Sequence, residues 1–309
     1  MHAVSAFAPA TVANVGVGFD VLGLAIDGPG DTVTAYRSDT PGVRIRRVTG
    51  GDLPLEAERN TAGVAAISTL RLAGVDVGVE LELHKGLPIG SGLGSSSSSA
   101  AAAAFAVNLL LGSPLRKAQL IEPCMDAEEA VSGRHADNVA PSLLGGLILV
   151  RSTDPLDIVR LPIPEGLTVA VVTPDFVLTT KAARAALPAS ISLATMVRQT
   201  ANIAGLVSAC YTGDLDLLAR CIPETVVTPV RAQLIPGGAA AIEAALEAGA
   251  LGASVSGAGP SIFALCRSVA SAQAAATAMQ AAFTRAGLAS TRVVSPADAP
   301  GARRVDLPA

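Results

Sequence analysis

Pro88-Ile89-Gly90-Ser91-Gly92-Leu93-Gly94-Ser95-Ser96-Ser97 is the stretch whose reading decides the fold. A period-two apolar run (Val79, Leu81, Leu83) leads into it, and an Ala- and Leu-rich stretch from Ser98 to Leu111 leads out. The pattern predicts a strand, a glycine/serine loop and a long helix. A helix start carries backbone N–H groups without partners and the positive end of the helix dipole. Glycines at alternate positions let the backbone bend and approach a ligand with no Cβ in the way. Serine hydroxyls can cap the helix or reach an anion and its metal. A phosphate cradle fits these features, and so does a serine-capped turn with no ligand. Two known cradles are excluded by spelling: no Lys follows the last glycine, and Gly90, Gly92 and Gly94 fall one residue short of the dinucleotide fingerprint.

The unbroken match from Pro88 to Ser96 to Pro-x-Gly-x-Gly-Leu-Gly-Ser-Ser resembles the loop of the GHMP kinases, small-molecule kinases named for galactose, homoserine, mevalonate and phosphomevalonate. Upstream lies Pro9-Ala10-Thr11-Val12-Ala13-Asn14-Val15-Gly16-Val17-Gly18-Phe19-Asp20-Val21-Leu22-Gly23-Leu24-Ala25. Asn14 and Asp20 alone suit turn chemistry. The whole string resembles the first motif of the homoserine kinases, in which these two residues contact the amino acid substrate.

Composition sets the bounds. The chain has 309 residues, enough for about two domains. Half of them are hydrophobic and 16% charged, with no Trp and 3% aromatics, so Ala, Val and Leu must build the core. A net charge of −4 argues against nucleic acid as a partner. Cys124, Cys210, Cys221 and Cys266 lie far apart without a CxxC pair, as expected of buried free thiols in a reducing compartment. No signal peptide or membrane span is legible, so a soluble, cytoplasmic protein is expected.

Strands are expected over residues 3–8, ending at Pro9, and over 31–36, 43–48, 143–150, 167–172 and 291–294. Helices are expected over 62–72, with Asn60 as cap and Gly74 as stop, and over 115–131, 192–212 and 269–286. In related kinases an Asn at position 60 lies near the nucleotide; capping alone explains it equally well. His84 is expected near a strand end without chemistry. Pro162 and Pro164 place a domain boundary near 155–165, and the final ten residues read as loose.

Four further elements carry the resemblance. The acidic cluster Asp126, Glu128, Glu129 followed by Ser132-Gly133-Arg134-His135-Ala136-Asp137-Asn138-Val139-Ala140-Pro141 resembles the homoserine kinase pattern Glu…Ser-Gly-x-His-x-Asp-Asn-Val-Ala-Pro. There the Glu holds Mg²⁺ with a loop serine, and the His-x-Asp-Asn residues line the substrate pocket. The metal ligand aligns with Glu128, with Glu129 as the competing choice. Thr180 and Arg184 match a Thr-x-x-x-Arg element at the substrate and phosphate end. Arg231 matches the arginine that grips the substrate carboxylate, a task that suits a guanidinium fork. Finally, Gly249 to Ser261 resembles the superfamily's third motif, a glycine turn packed beside the phosphate loop.

The resemblance implies an α+β, two-domain GHMP kinase fold. Residues 1–160 would form a ribosomal protein S5 domain 2-like N-terminal domain and 161–309 a ferredoxin-like C-terminal domain. It also implies ATP-dependent phosphorylation of the side-chain hydroxyl of L-homoserine, a step toward threonine. ATP would lie along Asn60 and Pro88, Ile89, Gly90, Ser91, Gly92, Leu93, Gly94, Ser95, Ser96, Ser97 and Ser98, with Mg²⁺ on Ser96 and Glu128. Asn14, Asp20, His135, Asp137, Asn138, Thr180, Arg184 and Arg231 would hold homoserine. Asp137, Glu128 and Arg184 would act in catalysis, Asp137 by orienting the hydroxyl or taking its proton. A homodimer is compatible with the family, and no sequence feature calls for one.

Overall fold

A computed structural model describes residues 3–131 and 133–307; Ser132 of the His135 motif lies outside them. The chain opens with β1 (Ala3–Ala13), β2 (Leu22–Ser38) and β3 (Gly42–Thr49), then α1 (Thr61–Ala73), β4 (Gly78–His84), α2 (Ser95–Leu110), α3 (Ile121–Glu129) and α4 (Val139–Leu144). The hairpin β5 (Leu147–Thr153) and β6 (Leu156–Leu161) follows. The second half contains β7 (Thr168–Pro174), α5 (Thr180–Ala185), α6 (Leu193–Thr212), α7 (Leu215–Cys221), α8 (Thr228–Gln233) and α9 (Gly238–Glu247). It continues with β8 (Gly252–Val255), β9 (Ile262–Cys266), α10 (Val269–Arg285), β10 (Ser290–Pro296) and β11 (Arg303–Val305).

The first sheet runs β11-β1-β2-β4-β3, with β5 and β6 continuing from the start of β2. Its only parallel pair among the described strands is β3 with β4, joined through α1. Helices α1 to α4 cover one face, and Ala100 to Ala104 of α2 are all fully buried. Small side chains let that helix lie close against its neighbours. The second sheet runs β10-β7-β9-β8, all antiparallel neighbours. Within that half this is the order fourth, first, third, second, the ferredoxin-like arrangement. Its α9 and α10 share one apolar cluster, while another joins β1, β2 and β5 to β7, β9 and α6. The two sheets are thus fused by a common core rather than linked loosely. All four cysteines are free and buried. No described helix is long and apolar enough to cross a membrane.

Several boundaries differ from expectation. β1 does not stop at Pro9: a register shift between Pro9 and Thr11 absorbs the residue that has no N–H to give, and the strand runs to Ala13. The helix expected over 115–131 is α-helical only from Ile121 to Glu129, with a 3₁₀ turn at Lys117–Leu120 before it. That start puts Pro123 in the first turn, where its missing N–H costs nothing. The strand expected from Leu143 starts at Leu147, because α4 extends to Leu144 and left-handed Gly145 and Gly146 turn the chain. The C-terminal segment is not all loose: Arg303–Val305 pairs with Phe7–Ser5 on the open edge of β1. Residues 156–161, beside the expected boundary, form β6 on the first sheet.

One buried charge pair fastens the loop to this frame. Asp31 of β2 and Lys85, next after β4, form an ion pair with side chains 0% and 2% exposed. Lys85 Nζ also donates to the Ser95 carbonyl (2.8 Å), Ser95 Oγ (2.7 Å) and Ser99 Oγ (2.9 Å) of α2. Asp31 Oδ1 accepts from the backbone N–H of Gly86 (3.0 Å) and Leu87 (3.2 Å). Removing one member leaves the other buried and uncompensated. Asp31→Ala is therefore expected to lose about 3–5 kcal/mol in denaturant unfolding; a loss under about 1 kcal/mol would show that the pair does not hold this junction.

Candidate functional site

The turn after β1 carries the first motif in an unusual backbone. Asn14, Val15 and Asp20 have φ of 71°, 44° and 58°, left-handed values that a β-branched residue such as Val15 adopts only under constraint. The constraint is visible. Asn14 Oδ1 accepts from the Asp20 N–H (3.1 Å), and its Nδ2 donates to the Gly257 carbonyl (3.3 Å), so Asn14 pins the first motif to the third.

The glycine loop is held from both halves of the chain. Ser256 Oγ donates to the Gly92 carbonyl (2.7 Å) and Ser261 Oγ to the Ser91 carbonyl (2.6 Å). Thr11 N–H donates to the Leu93 carbonyl (3.1 Å). Gly92 and Gly94 cannot be replaced here. Both have positive φ, and a Cβ would lie 2.6 Å from the Gly259 oxygen or 2.2 Å from Thr11 Oγ1. That second approach lets Thr11 Oγ1 donate to Asn138 Oδ1 (2.8 Å), leaving the Asn138 amide nitrogen as the donor end.

These elements enclose a cavity of about 350 Å³. Of the expected nucleotide residues, Asn60, Ile89, Gly90, Ser91, Gly92, Gly94, Ser95 and Ser96 line it. Pro88, Leu93, Ser97 and Ser98 do not. Leu93 faces the apolar core, and Ser98 Oγ donates to the Ala8 carbonyl (2.7 Å) while accepting the Asp31 N–H (3.0 Å). Asn60 caps α1 by accepting from Ala62 N–H (3.0 Å) and borders the cavity as well. All eight expected substrate residues, Asn14, Asp20, His135, Asp137, Asn138, Thr180, Arg184 and Arg231, line the same cavity. His84 ends β4 and bonds Thr49 Oγ1 through Nδ1 (2.9 Å), away from the site.

Helix phase separates the two glutamates. Glu128 is buried and faces the cavity, whereas Glu129 is exposed and reaches Arg134 at 3.4 Å. Among the described residues no group of three or more His, Cys, Asp or Glu could hold a metal by itself. A single carboxylate near a loop serine suits Mg²⁺, which binds through one or two carboxylates plus substrate phosphates.

The far end of the cavity is an ionic cluster. Arg184 meets Asp20 through Nη1 (3.2 Å to Oδ2) and Nη2 (3.1 Å to Oδ1), and its Nη2 also lies 3.2 Å from His135 Nε2. Arg231, 3% exposed, donates Nη1 to the Gly257 carbonyl (2.6 Å), and its buried Nε has no hydrogen-bond partner among the described residues. A guanidinium so placed suits a ligand anion. Burial, followed by repulsion from Asp20, pushes the Asp137 carboxyl up to about 7.

Sequence reasoning missed Asp31, Lys85, Thr11, Phe19 and Glu224. Glu224 accepts from the N–H groups of Val226 (2.6 Å), Val227 (2.7 Å) and Thr228 (2.5 Å) and so anchors the helix carrying Arg231. A lone charge in an apolar run was the available signal for Glu224, whereas Asp31 and Lys85 stand near other charges and glycines and carried no such signal.

The GHMP kinases N terminal domain family matches residues 60–146, and GHMP kinases C terminal matches residues 206–285. The chain is 46% identical over 305 residues to homoserine kinase of Xylella fastidiosa (strain 9a5c), covering 98% of this chain and 94% of that protein. It is 47% identical over 315 residues to homoserine kinase of Arabidopsis thaliana, covering 98% and 85%. The crystal structure of homoserine kinase from Cytophaga hutchinsonii superposes with a TM-score of 0.96 at 45% identity, covering 99% of this chain and 98% of that one.

The folded protein holds the Asp137 proton up to about pH 7, against an ordinary carboxyl value of 3.8. Raising the pH through that window therefore weakens the fold, because the unfolded chain releases the proton first. Asp137→Asn is expected to melt above the parent at about pH 8, the gap closing as pH falls toward about 4. A gap independent of pH would contradict the burial of an ionisable Asp137.

Proposed function

The chain belongs to the GHMP kinases, on their homoserine kinase branch, and from that membership we propose that ATP lies along its glycine loop and L-homoserine at the arginine end of the cavity. The reaction moves the γ-phosphoryl group of ATP to the homoserine side-chain hydroxyl, giving ADP and O-phospho-L-homoserine. The observation that carries the residue assignments is one shared cavity, lined by Gly90, Ser91, Gly92, Gly94, Ser95 and Ser96 of the loop and by Asp137, Asp20, Arg184 and Arg231.

Phosphoryl transfer needs positioning and charge neutralisation more than covalent chemistry. The loop N–H groups and the start of α2 cradle the β- and γ-phosphates. Ser96 and Glu128 would hold Mg²⁺, which would supply positive charge against the nucleotide's phosphates. Arg231 and Arg184 grip the substrate carboxylate, and Asp20 answers its ammonium group. Asn138 and His135 border the same end, with Asn138 offering its amide donor. Ionised Asp137 accepts the hydroxyl hydrogen bond and takes the proton as the new P–O bond forms. A carboxyl ionising near pH 7 is well matched to that task.

A coupled ADP-release assay across homoserine, shikimate, mevalonate and galactose tests the reading. Turnover is expected with homoserine and not with the others; turnover of another alcohol in its place would move the chain to a sister branch. In the same assay, Glu128→Gln is expected to lower kcat on the order of 100-fold or more, and Glu129→Gln by less than about twofold. The reverse order would put the metal on Glu129.

A further inference from the structure

Phe19 lies in the turn after β1, half-buried, and does not itself line the cavity. Its ring nevertheless serves two cavity arginines at once. The guanidinium carbon of Arg184 is 5.7 Å from the ring centroid and that of Arg231 is 5.3 Å away, both within cation–π range. Aromatic side chains are scarce in this chain, with six Phe, two Tyr and no Trp. A ring beneath two guanidinium groups is therefore not a by-product of aromatic abundance.

Two like charges on one ring repel, and burial together with Arg184 pushes Arg231 below its usual range. Before any anion enters, something must offset that repulsion. Arg184 has the Asp20 carboxylate in direct contact, whereas Arg231 is bonded to the Gly257 carbonyl, faces the ring, and is offset by Asp20, Asp137 and Glu224 through their charge alone. A carboxylate in place of the ring would neutralise Arg231 and compete with the substrate. An aliphatic side chain would fill the volume without attracting either cation. The negative face of an aromatic ring steadies both guanidinium groups and leaves their forks unneutralised.

We propose that Phe19 is a positioning residue that holds Arg184 and Arg231 at the spacing that brackets the substrate carboxylate, and thereby sets the demand for a carboxylated substrate. This rests on the reading of the two arginines as the carboxylate site.

Phe19→Leu is expected to raise the homoserine KM about tenfold, with kcat and the ATP KM within about twofold of the parent, and Phe19→Tyr to restore the parent KM. Because Leu also changes the packing of the turn, the deciding measurement keeps the ring's shape. Mono-, di- and trifluorinated phenylalanine placed at position 19 drain the π face step by step. The homoserine KM is expected to climb with each fluorine while the ATP KM stays flat. A homoserine KM indifferent to fluorination, or homoserine and ATP KM values rising together, would overturn the proposal. Absence of homoserine turnover by the unmodified protein would instead take down the reading of the site, and this inference with it.

Discussion

The buried pair between Asp31 and Lys85 is the interaction on which the rest of the site depends. Two opposite charges taken almost wholly out of water are tolerated only when their remaining hydrogen-bonding capacity is met. Here Asp31 also receives two backbone N–H groups and the Ser99 hydroxyl, and Lys85 meets three acceptors at the start of α2. Gly86 and Leu87 follow Lys85 directly, while Ser95 and Ser99 come from α2, distant in sequence from Asp31. The pair therefore works less as a source of stability than as a rivet. It fixes the end of β4, the middle of β2 and the first turn of α2 at one point, and the glycine loop has to span what lies between.

From that rivet the loop reaches the second half of the protein. Ser256 and Ser261 hold its carbonyls from below, and Asn14 ties the same glycine turn to the first motif. Oxygen atoms of the loop are thus occupied by the protein, which turns the peptide units so that N–H groups can face a ligand. The arginine end of the cavity is built on the same interlock, since Arg231 bonds the Gly257 carbonyl and Arg184 bonds Asp20. A core made of Ala and Val permits such close approach of segments distant in sequence.

Much of this was legible because it is local. Glycines that need positive φ, Asn60 as a cap and Gly74 as a stop all depend on neighbours within a few residues, and they stand as read. Which of Glu128 and Glu129 faces the cavity depends on helix phase, which the boundary of α3 shows and the spacing alone did not. What escaped depends on long-range partners. β1 runs past Pro9 because β2 lies beside it to accept the bulge, and Arg303–Val305 becomes a strand only because β1 offers an open edge. Lys85 and Asp31 are 54 residues apart, and Phe19 meets Arg184 and Arg231 only once both halves have docked. No periodicity or turn rule carries such pairings.

The central claim is that the loop's backbone amides, shaped by the rivet and by the serines beneath them, hold the nucleotide's phosphates. Amide hydrogen exchange with and without a non-hydrolysable ATP analogue tests it most directly. The account gives slowed exchange over residues 90–96 when the analogue binds, with residues 303–305 on the far edge of the first sheet unchanged. Analogue binding that leaves exchange at residues 90–96 untouched would contradict it.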